Sequence, residues 1–227
     1  QTCALPIYET GLAKDTLIIV TSDNGCSPTA KFDELKAKAH NPSYVFRGHK
    51  ADIYDGGHHI PFIVRYPGVT KPGTKYEPYV CLTDSMATVA DIVGEKLPDN
   101  AAEDSVSILP ALRGETKPVR EAIVHHSITG AFSIRQENWK LELCPGSAGW
   151  SSPKPGQEPK DAPRIQLYNL ADDIGDAVVD FRRLVIVRQD DGVALFLQRV
   201  DRRHIGREER PFDRRHHILD EIGRAHV

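Results

Sequence analysis

No two of the four cysteines stand in a C-x-x-C spacing, which excludes a zinc-ribbon pattern and the dense cysteine framework of a small disulfide-stapled domain. No apolar run reaches the roughly 20 residues of a membrane-spanning helix, and the amino end does not read as a secretory leader. A large charge of one sign is also missing: 29 Lys and Arg against 32 Asp and Glu leave a net charge of −3. Nothing therefore points to nucleic acid or to an acidic membrane surface as a partner. What remains is the composition of an ordinary globular protein, 40% hydrophobic and 27% charged over 227 residues, a length for one or two domains.

A local absence marks the carboxyl end. Residues 177–220 contain no Lys, Ser, Thr, Asn, Tyr, Cys or Trp, yet they hold ten arginines interrupted by eight acidic residues. A solvated face mixes lysine with arginine, so residues 177–227 are expected to be an aberrant tail, shifted in frame or source, that carries no site; the competing reading is a basic interaction tail. Leu184–Val187 and Val193–Leu197 nevertheless have strand propensity around Asp190-Asp191-Gly192, which suits a hairpin. The two ends carry a further signature. Gln1–Ile7 can be encoded by DNA resembling a sequencing adapter, and Glu221–Val227 by nearly its reverse complement. Residues 1–7 are accordingly expected to be adapter-derived, and the chain to be truncated at both ends.

The apolar run Thr16–Val20 leads into Thr21-Ser22-Asp23-Asn24-Gly25. A β-branched run bounded by turn residues predicts a buried strand, which places Asp23 and Asn24 at its carboxyl end, where open α/β sheets bind ligands. A charged and a neutral oxygen side by side suit a hard cation such as Ca²⁺, whereas an isolated Asp-Asn-Gly also closes a strand as an Asx turn. Phe32–Ala39 predicts a short surface helix, ended by His40-Asn41-Pro42. Ile60–Tyr66 predicts a second strand. Thr83–Val93 predicts an amphipathic helix capped by Thr83 or Asp84, with Met86, Val89, Ala90 and Val93 on its apolar stripe. Three antiparallel strands follow at Ala122–His126, Ala131–Arg135 and Trp139–Leu143, with Ile165–Tyr168 as a candidate fourth.

The motifs add up to a resemblance. Thr21–Gly25, then Arg47-Gly48-His49-Lys50-Ala51-Asp52-Ile53-Tyr54-Asp55-Gly56-Gly57-His58-His59-Ile60-Pro61-Phe62, then Tyr66-Pro67-Gly68 resemble the carboxyl-terminal half of a type I, formylglycine-dependent sulfatase. Leu82-Thr83-Asp84, Ile134-Arg135-Gln136, Trp139-Lys140-Leu141 and Leu167-Tyr168-Asn169-Leu170 continue the same pattern in the same order, so the likeness runs from about Tyr8 to Asp176. It implies an alkaline-phosphatase-like α/β fold with a small carboxyl-terminal antiparallel sheet. Residues 8–115 would form part of the α/β domain and residues 116–176 the antiparallel subdomain.

The resemblance also implies hydrolysis of sulfate esters, a sulfated carbohydrate or aryl sulfate as substrate, Ca²⁺ held in part by Asp23 and Asn24, and Lys50 on the sulfate. An ammonium there stabilises charge that develops on the ester and leaving oxygens. His58 and His59 lie where many relatives resemble Gly-Gly-x-Arg, so His59 offers a titratable imidazole in place of a permanent cation. His40 on its loop and Trp150 on the glycine-rich Cys144–Trp150 loop are further substrate-binding candidates, the tryptophan suited to stacking on a sugar or to packing against the domain. Asp172-Asp173 reads as a solvated turn. The family's nucleophile motif, C-x-[PSA]-x-R, does not occur: Cys26 precedes Ser27-Pro28-Thr29-Ala30, and Cys144 precedes Pro145-Gly146-Ser147-Ala148. The chain as written is therefore expected to be inactive, its formylglycine lying outside it, and to fold poorly alone. Two other readings stay open: a phosphatase or phosphonate hydrolase of the same superfamily, and a non-catalytic carbohydrate-binding fragment.

Overall fold

The computed structural model describes residues 4–171 and the backbone of two strands beyond them. In chain order the elements are α1 (Ala4–Glu9), β1 (Ile18–Thr21), α2 (Phe32–Ala37), α3 (Asp55–His58), β2 (Phe62–Arg65), α4 (Asp84–Val93), α5 (Leu109–Leu112), β3 (Ile123–His126), β4 (Phe132–Gln136), β5 (Trp139–Glu142), β6 (Gln166–Asn169), β7 (Leu184–Gln189) and β8 (Gly192–Leu197). The strands expected near residues 18, 62, 123, 132, 139 and 166 all form. β7 and β8 pair antiparallel from Leu184↔Leu197 to Gln189↔Gly192, matching the propensity of their β-branched residues. The remaining expectations for 177–227, for Asp172-Asp173 and for Gln1–Cys3 lie outside the described residues. Described residues up to Gly25 together with 58–123 make one compact unit, and residues 26–57 with those from Val124 onward make a second.

In the first unit, β1 and β2 pair antiparallel with Ile18 opposite Arg65 and Val20 opposite Ile63. The sequence predicts a buried strand here, but Val20 is 55% and Ile63 61% exposed. Among the described residues this sheet has only its two strands, so neither face is covered by further strands. α4 differs from expectation in the same direction. Met86, Val89 and Val93, its apolar stripe, are exposed, while Asp84 and Thr88 are buried. Thr83 makes no capping bond. The Asp84 carboxylate instead accepts the N–H groups of Cys81 at 2.7 Å and Val106 at 3.0 Å and pairs with Arg120. Thr88 Oγ1 accepts the Ile108 N–H at 3.0 Å. The inward face of this helix is thus a polar hub that ties down the 105–108 segment, because a buried carboxylate must find donors.

The second unit is built on the sheet β3-β4-β5-β6. Ile134 faces Leu141, which faces Leu167, and all three are buried. Alternation along a strand sends the intervening residues to the opposite side, and there Ser133, Lys140, Glu142, Gln166 and Tyr168 are buried as well. Polar side chains buried on a sheet face must be paired. Lys140 Nζ is fully enclosed and donates to Ile53 O at 2.9 Å and Asp55 Oδ1 at 2.8 Å, with Glu142 Oε1 at 3.2 Å. Arg135 reaches the other Asp55 oxygen at 2.9 Å. Gln166 Nε2 donates to the carbonyls of Cys144 and Gly146, and Tyr168 Oη donates to Gln166 Oε1. This charged face receives the segment that carries the motif, and Ile53, Tyr54, Cys144 and Ala148 form the apolar cluster beside it.

Candidate functional site

The Arg47–Gly57 segment is held by close backbone approach. Gly48 adopts φ +76°; a Cβ on Gly56 would come within 2.3 Å of the Gly48 carbonyl oxygen, and one on Gly57 within 2.4 Å of the Asp52 carbonyl oxygen. Only glycine permits those approaches. Inside the turn the Tyr54 ring lies under the Arg47 guanidinium, 3.9 Å from ring centroid to cation, a stacking that favours arginine over lysine. The Tyr54 hydroxyl is fully buried and has no hydrogen-bond partner among the described residues. Burial pushes its pKa far above the usual phenol range, with the nearby Arg47 charge opposing, so Tyr54 packs and does not exchange protons. Asp55, next along, takes the charges of Lys140 and Arg135 described above.

Lys50 sits at the turn's partly exposed edge, where its backbone N–H donates to Cys26 O at 2.9 Å. Its ammonium has no ion pair or hydrogen bond among the described residues, whereas Lys140 in the same unit has three oxygens around its nitrogen. Among the described residues, the fold engages the charge of Lys140 and leaves that of Lys50 unengaged. Two residues on, the carboxylate of Asp52, itself fully buried, accepts the N–H groups of Trp150 at 2.7 Å, Ser151 at 2.9 Å and His49 at 2.9 Å. The Ser151 hydroxyl donates to it as well. Trp150 is 43% exposed although Ser147, Ala148 and Gly149 before it are buried, so the loop is packed while its tryptophan stays partly open to solvent.

The other candidates are placed as follows. His40 is exposed just past α2, its N–H donating to Leu35 O at 2.9 Å. His58 ends α3 and is partly buried, and His59 after it is exposed; both belong to the first unit. Asp23 and Asn24, also in the first unit, follow β1, and Asn24 Nδ2 lies 3.0 Å from Asp23 Oδ1. The amide thus turns its donor end to the carboxylate, whereas a hard-cation site needs Asn24 Oδ1 beside the Asp23 oxygens. Two residues do not complete one, and among the described residues no group of three His, Cys, Asp or Glu could hold a metal. Sequence reasoning missed the work done by Asp52, Asp55, Arg135 and Lys140. For Arg135 and Lys140 the signal was present, since charged residues at alternating positions of predicted strands face a common side; for Asp52 and Asp55, which lie outside those strands, it was not.

The sulfatase family model matches residues 7–95. An N-acetylgalactosamine-6-O-sulfatase of Bacteroides thetaiotaomicron is 31% identical over 160 residues, 69% of this chain and 28% of that protein. An arylsulfatase of Hemicentrotus pulcherrimus is 36% identical over 137 residues, 60% of this chain and 24% of that protein. Residues 7–95 are therefore part of a sulfatase domain. A solved structure tied to glycosaminoglycan metabolism by Bacteroides thetaiotaomicron superposes with a TM-score of 0.63 at 30% identity, over 75% of this chain and 36% of that one. A Pseudoalteromonas sulfatase at 23% identity and TM-score 0.59, over 78% of this chain and 35% of that one, shares the fold. The sulfatase fold is alkaline-phosphatase-like α/β, and the helices and antiparallel sheets described above are a part of it. The family uses Ca²⁺ and formylglycine. The chain spans 28% and 24% of the length of the two relatives just named.

Proposed function

We propose that the protein to which this chain belongs hydrolyses sulfate esters of carbohydrates. One observation carries the reading: Lys50, within the family-like motif, is held through its backbone N–H by Cys26 O, and the preceding His49 N–H by Asp52, while the Lys50 ammonium has no partner among the described residues. A cation kept free on a fixed loop suits a sulfate ester, whose oxygens gain charge as the bond to the leaving group breaks. Asp23 and Asn24 would supply two of the oxygens for Ca²⁺, which contributes charge stabilisation when bound. His58, His59, His40 and Trp150 are assigned to substrate binding. Residues 8–115 are assigned to the α/β domain and 116–176 to the antiparallel subdomain. A hexosamine sulfate is the favoured substrate, because one relative is named for N-acetylgalactosamine 6-sulfate and a solved neighbour holds D-glucosamine-2-N,6-O-disulfate.

The chain of 227 residues, lacking C-x-[PSA]-x-R, is assigned no turnover of its own. The test is to assay the complete protein on N-acetylgalactosamine 6-sulfate and on 4-nitrophenyl phosphate, with and without a calcium chelator. Calcium-dependent sulfate release with little phosphate release supports the reading. Faster phosphate release would move the protein to the phosphatase alternative, and sugar binding with neither reaction would move it to the carbohydrate-binding one.

A further inference from the structure

We propose that Asp52 is a positioning residue that joins the lysine loop and the Trp150 loop into one rigid substrate-binding element; this rests on the sulfatase reading above for what the element binds. Asp52 is fully buried, yet its two oxygens collect three backbone N–H groups and a hydroxyl from two distant stretches of chain. Oδ1 accepts Trp150 N–H and Ser151 N–H; Oδ2 accepts His49 N–H and the Ser151 hydroxyl. The His49 ring nitrogen Nδ1 also lies 3.5 Å from Oδ2. A buried carboxylate so satisfied rigidifies its surroundings, and leaving any of these donors unpaired is costly.

The fit extends to the backbone. A Cβ on Gly149 would lie 2.4 Å from Asp52 Oδ1 and 2.6 Å from Ala51 O, and one on Gly48 would lie 2.7 Å from Asp52 Oδ2. Glycine on both loops lets them close on the same carboxylate. Thr129 Oγ1 adds a bond to Ala148 O at 2.8 Å, and Ile128 N–H one to Ala51 O at 3.0 Å, so the β3–β4 turn is fastened to both loops as well. The element therefore carries, on one scaffold, an ammonium without a partner among the described residues and a partly exposed tryptophan. A ligand that suits both has an anionic group and, at a fixed offset, an apolar ring face: a sulfated pyranose in preference to free sulfate.

The geometry calls for a cycle of variants in the complete protein, assayed on N-acetylgalactosamine 6-sulfate. Trp150→Ala should lower kcat/KM about tenfold, the scale of one lost stacking contact. Asp52→Asn, which turns an N–H₂ toward donors, should lower it about 100-fold, as misplaced binding groups do. In the Asp52→Asn background Trp150→Ala should cost less than twofold more, because the indole is already misplaced. A merely structural carboxylate would leave the Trp150 effect at its full size. Gly149→Ala leaves every charge in place but pushes the loop away, and should reproduce the Asp52→Asn loss and the same loss of coupling. Independent, multiplicative effects of Asp52→Asn and Trp150→Ala would overturn the proposal, as would wild-type kcat/KM in Asp52→Asn or in Gly149→Ala. Amide hydrogen exchange at His49, Trp150 and Ser151 separates this from the sulfatase reading. If the wild type releases no sulfate from any ester, that reading fails, and exchange then decides the clamp: accelerated exchange at all three amides in Asp52→Asn supports it, and unchanged protection overturns it.

Discussion

The two units use opposite means of holding a motif in place. In the second, the residues that flank Lys50 are pinned by buried charge: Asp52 and Asp55 are both enclosed, and Lys140, Arg135 and four donors on Asp52 satisfy them. In the first, Asp23 and Asn24 end a two-stranded ribbon whose central apolar side chains stand exposed. A buried, fully paired network fixes atoms to within a hydrogen bond, whereas a ribbon with open faces gains little from burial. The contrast teaches that the Lys50 loop is preorganised by its own unit, whereas the Asp23–Asn24 turn draws little on the ribbon beneath it.

That comparison breaks first at Lys140. Lys140→Met leaves Asp55 and Glu142 buried without their shared cation, and should cost about 3–5 kcal/mol of the second unit's stability; urea unfolding followed by Trp fluorescence measures it. A loss below about 1 kcal/mol would mean the network is not what holds the motif.

Cys144 sharpens the same point through pH. Burial, reinforced by the nearby Glu142 charge, pushes its thiol up from 9.0 to about 11. The unfolded thiol gives up its proton first, so the folded state binds more protons between those values. The associated stability is fully present below pH 9 and is lost as pH rises to about 11, by at most about 1.4 kcal/mol per unit. Unfolding curves at pH 8, 9.5 and 10.5 for wild type and Cys144→Ala should diverge in that window, the variant losing less.

Tyr54→Phe is expected to do little, despite full burial. It removes a hydroxyl without a partner among the described residues and keeps the ring under Arg47, so stability should stay within about 1 kcal/mol of wild type or rise. A larger loss, read by thermal denaturation, would point to a partner for the hydroxyl.

The smallest effect belongs to the ribbon. Val20→Thr and Ile63→Thr, at facing and exposed positions, should each change stability by under about 0.5 kcal/mol. Costs above about 2 kcal/mol would show that both side chains are covered in the protein as tested, and the contrast between the units would weaken.

How much of this the sequence carries depends on what fixes each feature. Strands such as Trp139–Glu142 were legible because alternation and bounding turns are local properties of the chain. The family was legible because Lys50, Tyr54, Gly56 and Gly57 fall close together in one tight turn, whose backbone contacts demand glycine at 56 and 57. The exposed faces of Val20 and of the Met86–Val93 stripe were not, since burial is set by what covers a face and the apolar pattern alone does not supply a cover. Asp84 was expected as a helix cap and proves to be a buried anchor, because its partners Val106 and Arg120 lie 22 and 36 residues away. Asp52 escaped notice for the same reason: its donors Trp150 and Ser151 are 98 and 99 residues distant.

The central claim is that Lys50 meets the sulfate of a carbohydrate ester. Turnover of N-acetylgalactosamine 6-sulfate by the complete protein, compared between wild type and Lys50→Ala, tests it most directly. A drop in kcat of about 100-fold or more, with the fold retained by circular dichroism, is the predicted result. Wild-type kcat in Lys50→Ala would contradict it and return Lys50 to the solvated surface.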